Sequence, residues 1–198
     1  MLVLAADTSL PILSVAVVRD GTLVGALMAE GKGSRNEKLL PAIDWLLAEN
    51  GIERGAIELF AVTRGPGSFT GVRIGLATLQ GLAMALRRPV CTMSTHEAIA
   101  HGEPGRVVIA DDAGRGEWYV SVFEEGREVA APHLAAAPGD GRVVRVADFL
   151  REGNVALRCA HRAEEIERRG EGALHRDVTP IYVRLAEAEV QLRQKQNG

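Results

Sequence analysis

Aromatic side chains make up only 4% of this 198-residue chain. Val, Leu, Ile and Ala must therefore fill its core, and a hydrophobic content of 46% is enough for one large domain or two small ones. Cysteine is equally scarce. Cys91 and Cys159 stand far apart and in no CxxC pair, which argues against a disulfide framework and for a reduced, intracellular protein. Excess positive charge is missing too. The formal charge is −3, with both signs interspersed, so the chain alone lacks the basic patch that nucleic-acid binding requires. No apolar run approaches membrane-spanning length. The apolar Met1–Ala6 meets Asp7 with no basic leader and reads as a first strand, not a signal peptide. These absences predict a cytoplasmic protein with no membrane association.

What is present is an alternation of short apolar runs and helical patterns. Leu2–Ala6, Ile12–Val18 and Thr22–Ala29 read as three strands, with Asp20-Gly21 as the turn of an antiparallel hairpin. Leu39, Ile43, Leu46 and Leu47 keep helical spacing up to a stop at Asn50-Gly51. Ser34 and Glu37 have capping-box spacing, and Pro41 means that the helix either begins near Leu40 or kinks in its first turns. A strand (Ile57–Val62), a glycine-rich turn, a helix (Gly71–Leu86), a strand (Val90–Met93) and a helix from Ser94 to His101 follow. Gly102-Glu-Pro-Gly105 reads as a linker, which divides the chain into residues 1–103 and 104–198. Val108–Phe123 then lies without a gap over Val3–Val18, with Asp112 on Asp7, so the second half starts as the first does. Beyond it, Ala130–Arg142 reads as loop, Arg145–Arg151 as a short helix, Arg162–Arg169 as a charged helix, Asp177–Val183 as a last strand and Ala186–Gln196 as a terminal helix.

The stretch Arg64-Gly-Pro-Gly-Ser-Phe-Thr-Gly-Val-Arg-Ile-Gly75 sits at a strand-to-helix turn, where backbone N–H groups and a helix N-terminus converge. Such a turn suits either a phosphate or close backbone packing. Both GxxxxGK[ST] and GxGxxG fail at Thr70, and no Lys follows, which favours a tight turn capped by Ser68 or Thr70. Along the next helix, Leu76, Leu79, Ala83 and Leu86 form a stripe for the sheet. Gly71, Gly75, Thr78 and Leu82 form a second stripe suited to close approach by a partner helix, because mid-helix glycine costs about 1 kcal/mol and needs a return. Asp7-Thr8-Ser9 resembles the first phosphate loop of actin-like ATPases and sugar kinases, although an Asx-type turn explains three such residues as well. His96 and His101 are five apart and do not share a helical face, and Ala100 occupies the place a partner for His96 would need. With His133, His161 and His175 in poorly patterned regions, no metal site is expected. No Ser/His/Asp or Cys/His arrangement is visible, and Cys91 reads as a buried thiol.

Taken together, Asp7-Thr8-Ser9, Leu39-Leu40-Pro41, Arg64–Gly75 and Gly81-Leu82-Ala83 closely resemble the TsaB (YeaZ) family. Asp112-Ala113 with Gly116-Glu117, and Pro180-x-Tyr182-Val-Arg184, extend the match into the second half. The resemblance implies an α/β protein of the actin-like/Hsp70-like (ASKHA) fold, with two related βββαβα-type subdomains, the second short for the family. It implies a non-catalytic paralogue that helps form threonylcarbamoyladenosine in tRNA. The partners implied are the metal-containing TsaD transferase and the TsaE ATPase, with tRNA met only through the complex, threonylcarbamoyl-adenylate as donor, and a homodimer when the chain is isolated. His96 aligns with the first histidine of the TsaD-type HxxxH, whose second is Ala100 here, and Arg35 stands where the family often has His.

The partner-facing residues expected on this basis are Leu39, Leu40, Ile43, Gly71, Gly75, Thr78 and Leu82. Asp7, Thr8, Ser9, Gly65, Gly67, Ser68 and Asp112 are expected as degenerate phosphate-loop positions. No tightly bound cofactor is expected beyond weak nucleotide binding. The alternatives are an ATP-dependent kinase of the same fold, with only Asp7 and Asp112 as candidate carboxylates, and a glycoprotease-type metallopeptidase, against which the missing HxxxH counts.

Overall fold

The computed structural model describes residues 1–30 and 35–183. Ser34, Arg184 and the expected terminal helix lie outside the described residues. Three strands open the chain, β1 (Leu2–Asp7), β2 (Leu13–Arg19) and β3 (Thr22–Ala29). Asp20 and Gly21 take φ of 50° and 76°, the hand of turn that matches strand twist, so β2 and β3 close as an antiparallel hairpin. β1 pairs antiparallel with β2, placing Asp7 opposite Ser14. α1 (Arg35–Glu49) crosses to β4 (Leu59–Thr63), parallel to β1, and α2 (Phe69–Leu86) crosses to β5 (Val90–Met93), parallel to β4. The sheet order is β3-β2-β1-β4-β5, and α3 (Thr95–Ala100) follows. Pro41 lies inside α1, on its exposed side, where solvent can meet the carbonyl that loses its intrahelical donor.

The second half repeats this plan. β6 (Arg106–Gly114), β7 (Glu117–Glu124), β8 (Arg127–Ala135) and β9 (Val143–Arg145) give the order β8-β7-β6-β9, with β6–β7 antiparallel and β6–β9 parallel. This is the first sheet without its fifth strand, and a loop replaces the helix between third and fourth strands. α4 (Val146–Glu152) and α5 (Val155–Arg168) complete the described helices. The fold is an α/β plan of two sheets, in which the second half repeats the strand order of the first in reduced form.

The first sheet is covered on both faces, which is why β1 and β4 read as continuous apolar runs. Leu39, Ile43, Leu46 and Leu79 of α1 and α2 meet Leu4, Val15 and Phe60 on one face. Ile99 of α3 and Ala156, Cys159, Ala160 and Ala163 of α5 meet Val3, Ala5, Ala16 and Ala61 on the other. Small residues on α5 let it lie close to β1 and β2, although it follows the whole second sheet in sequence. The boundary at residues 103/104 therefore separates the two sheets but not their helices.

Three expectations need revision. β8 runs through Ala135, so Ala130–Ala135 is paired strand and not loop. Asp177–Val183 forms no ladder strand. It passes beside β5 and over the glycine-rich turn, where Ile181 N–H donates to the Arg64 carbonyl at 2.7 Å. α2, with a mean hydropathy of 1.3 over 18 residues, is long and apolar enough by length and composition to cross a membrane. It lies instead along the sheet, and only 33% of it is buried, which leaves an apolar outer face.

Candidate functional site

Every glycine of the Arg64–Gly75 stretch approaches other backbone or a small side chain. Ser68 caps α2 by accepting from Gly71 N–H at 3.2 Å, and its own N–H donates to the Ser9 carbonyl at 2.7 Å. Gly65 (φ 94°) and Gly67 (φ 150°) sit where side chains are strained. A Cβ at Gly67 would strike the Ser9 carbonyl, and one at Gly71 the Thr8 carbonyl. At Gly75 it would lie 2.5 Å from Thr8 Oγ1, and at Gly65 2.9 Å from the Ile181 carbonyl. Of the two readings open in the sequence, close packing is the one this geometry follows.

The loop after β1 is equally committed. Asp7, Thr8 and Ser9 are all buried. Asp7 Oδ1 accepts from Ser9 N–H (3.3 Å), Ser9 Oγ (2.6 Å) and Thr63 Oγ1, while Oδ2 has no partner among the described residues. Burial raises the Asp7 pKa above the usual carboxylate range, against the lowering effect of the Ser9 and Thr63 hydrogen bonds. Thr8 Oγ1 donates to the Gly71 carbonyl at 2.6 Å, and Ser9 Oγ meets Thr95 Oγ1 at 2.9 Å. These side chains tie β1 to β4, α2 and α3.

In the second half, Asp112 is exposed and accepts from Gly114 N–H at 2.7 Å, an Asx turn. Its neighbour Asp111 is pushed up to about 6, first by burial and then by the adjacent carboxylates of Asp112 and Asp7. The histidines do not converge. His96 is buried, with Nδ1 2.8 Å from Ser121 Oγ of β7 and Nε2 unpartnered among the described residues, and burial pushes its pKa down to about 3. His101 Nδ1 lies 3.5 Å from Glu165, His133 contacts Ala131 and His175 contacts Thr92. Among the described residues no three His, Cys, Asp or Glu side chains form a metal-sized cluster. Burial pushes the Cys91 thiol up to about 12 and raises Cys159 as well, so neither is poised as a nucleophile.

The expected partner stripe divides. Leu39, Ile43, Gly71 and Gly75 are buried within this chain, so they are core positions and not partner-facing. Leu39 and Ile43 share the sheet-facing stripe with Leu46 and Leu47, and the two glycines back the Thr8 loop. Leu40 is 43% exposed, and Thr78 and Leu82 are half-buried at the surface. The outer layer also carries residues that were not among the expected partner-facing set, namely Trp45 (54% exposed), Ala77, Gly81 and Met84 (72% exposed). Ala77, Gly81 and Met84 follow one another at spacings of four and three, so helical periodicity could have found them. Among the described residues, nothing outside its own turn of helix lies within 4 Å of where a Cβ at Gly81 would stand.

The family model described as TsaD, tRNA N6-adenosine threonylcarbamoyltransferase, matches residues 33–170. The chain is 37% identical over 129 residues to the Escherichia coli "tRNA threonylcarbamoyladenosine biosynthesis protein TsaB", covering 63% of this chain and 55% of that one. It is 32% identical over 127 residues to the Bacillus subtilis protein of the same name, covering 63% and 56%. The chain spans about half the length of these curated relatives. The structure of YeaZ from Pseudomonas aeruginosa superposes with a TM-score of 0.72 at 29% identity, covering 91% of this chain and 99% of that one. A second structure from that organism, described as similar to peptidase YEAZ, gives 0.75 at 28%, covering 92% and 99%. With its glycine-rich turn, repeated sheet plan and these likenesses, the chain belongs to the TsaD family and, within it, to the TsaB (YeaZ) proteins.

Proposed function

We propose that this chain is a non-catalytic docking subunit in the formation of threonylcarbamoyladenosine in tRNA. It engages a TsaD-type transferase through the outer face of α1 and α2, and a TsaE-type ATPase joins the pair. The carrying observation is the contrast between loop and helix. Thr8, Ser9, Ser68 and the turn glycines are bound up in contacts within the chain, whereas α2 is apolar and only one-third buried. An apolar patch of this kind marks an interaction surface. Isolated, the same face pairs two copies of the chain, and nucleotide binds weakly or not at all.

Two measurements test this reading. Titration calorimetry against the TsaD-type partner is expected to show binding that a charge at Met84 weakens about 100-fold. Nucleoside analysis of tRNA from a strain depleted of this chain is expected to show loss of threonylcarbamoyladenosine. Submicromolar binding of Mg·ATP with multiple turnovers by the purified chain would instead support the kinase alternative.

A further inference from the structure

The two halves are joined at two crossings, and both are pinned. The chain leaves the first half through His101–Gly105 and returns at Gly153–Asn154, between α4 on the second sheet and α5 on the first. At the first crossing, the Glu103 side chain is only 14% exposed and both its oxygens are taken. Arg158 Nη2 of α5 reaches Oε1 at 3.3 Å, and Arg142 Nη2, from the loop before β9, reaches Oε2. The same arginines hold the backbone, Arg158 through the His101 carbonyl and Arg142 through the Pro104 carbonyl at 3.2 Å. Gly102 has φ 83°, and a Cβ there would lie 2.5 Å from Arg158 Nη1, so the guanidinium rests against the chain. At the second crossing, Asn154 caps α5 by accepting from Leu157 N–H at 2.8 Å and donates to the Leu27 carbonyl of β3 at 3.4 Å.

Two-lobed proteins that close around a ligand pivot on a few terminal residues whose φ and ψ change. Here the first crossing is bonded to one arginine from each half, and the second is bonded to the β3 backbone. Charge-assisted bonds from arginine are stronger and more directional than neutral ones, and removing the shared carboxylate leaves each guanidinium without its ion-pair partner and the two arginines no longer bridged. We propose that Glu103, Arg142 and Arg158 form an interlobe clasp that holds the two sheets at one angle, so that the chain acts as a rigid body and does not open and close around a ligand. This does not depend on which partner the α1/α2 face meets.

Spin labels at Leu23→Cys on β3 and Val129→Cys on β8, both exposed positions on opposite halves, report the angle as a distance distribution. Cys91 and Cys159 are fully buried and stay unlabelled. The expected result is one narrow distribution that millimolar Mg·ATP leaves unchanged. In Glu103→Gln it broadens, and the Gly102 and Glu103 amides exchange about tenfold faster. A wild-type distribution that is broad, double or shifted by Mg·ATP overturns the proposal, as does a Glu103→Gln distribution as narrow as wild type. Should Glu103→Gln not fold, Arg142→Gln, at a half-exposed site, carries the same test with the same two outcomes.

Discussion

Along its inner face α2 carries Gly71 and Gly75, and along its outer face it carries Gly81. The inner pair is explained inside the molecule, because a side chain at either would collide with the Thr8 backbone or hydroxyl. The outer glycine has open space around it, among Ala77, Leu82 and Met84. One helix thus shows two uses of a small residue. The inner glycines bring a strand-end loop against the helix N-terminus, and the outer one flattens a surface. Only the second can serve another molecule, although all three glycines look alike in sequence.

The sharpest way to break this comparison is Gly71→Ala. One methyl group must displace the Thr8 carbonyl and the hydrogen bond that Thr8 Oγ1 gives to Gly71. The expected loss is about 3 kcal/mol, read as a fall of roughly 10 °C in the melting temperature. A variant that melts with the wild type would show that the loop and helix are not in close register.

Met84→Asp probes the opposite face. Its side chain is mostly exposed, so stability should stay within about 0.5 kcal/mol of wild type. Affinity for the TsaD-type partner should fall about 100-fold if Met84 sits at the centre of the interface. Undiminished co-purification would remove α2's outer face from the docking reading.

How the chain divides into inside and outside was only partly legible in the sequence. The three opening strands could be read because Asp20-Gly21 supplies the turn chemistry, and the turn before α2 could be read because Ser68 supplies the cap. Helical spacing also found the sheet-facing Leu76, Leu79 and Ala83. It could not decide which way the stripe of Gly71 and Gly75 faces, because that depends on a loop some 60 residues earlier in the chain. The same holds for α5, which packs on a sheet completed long before it, and for Asp177–Val183, whose extended path depends on Arg64, Thr92 and Phe69 and not on a strand partner. Local pattern identifies an element, but long-range contacts choose its neighbour.

The buried histidine gives a third test, on the side of the molecule away from α1 and α2. His96 stays neutral in the folded chain down to about pH 3, whereas an unfolded histidine takes a proton below its ordinary 6.5. The unfolded state therefore binds more protons between those values, and stability falls as pH drops through that window, by about 2 kcal/mol from pH 8 to pH 5 for this group. Asp7 and Asp111, whose pKa values are raised, act in the opposite sense, so the wild-type slope is a difference. Comparing urea midpoints of wild type and His96→Gln at the two pH values isolates the histidine. The variant, whatever it loses at pH 8 through the Ser121 contact, should lose less on acidification. Equal losses would mean that the ring is not held neutral.

The smallest expected effect separates the two kinds of glycine most directly. Gly81→Ala adds a methyl group that, beyond its own turn of helix, meets no described residue within 4 Å, and alanine is the better helix former by about 1 kcal/mol. The isolated chain should therefore melt about 2–4 °C higher, the reverse of Gly71→Ala on the same helix. If the open space at Gly81 is where a partner helix comes close, the same methyl should weaken binding to the TsaD-type partner while it strengthens the fold. A variant that gains stability and binds unchanged would leave the mid-helix glycine without a role in docking and would shift the contact towards Leu40 and Trp45 of α1.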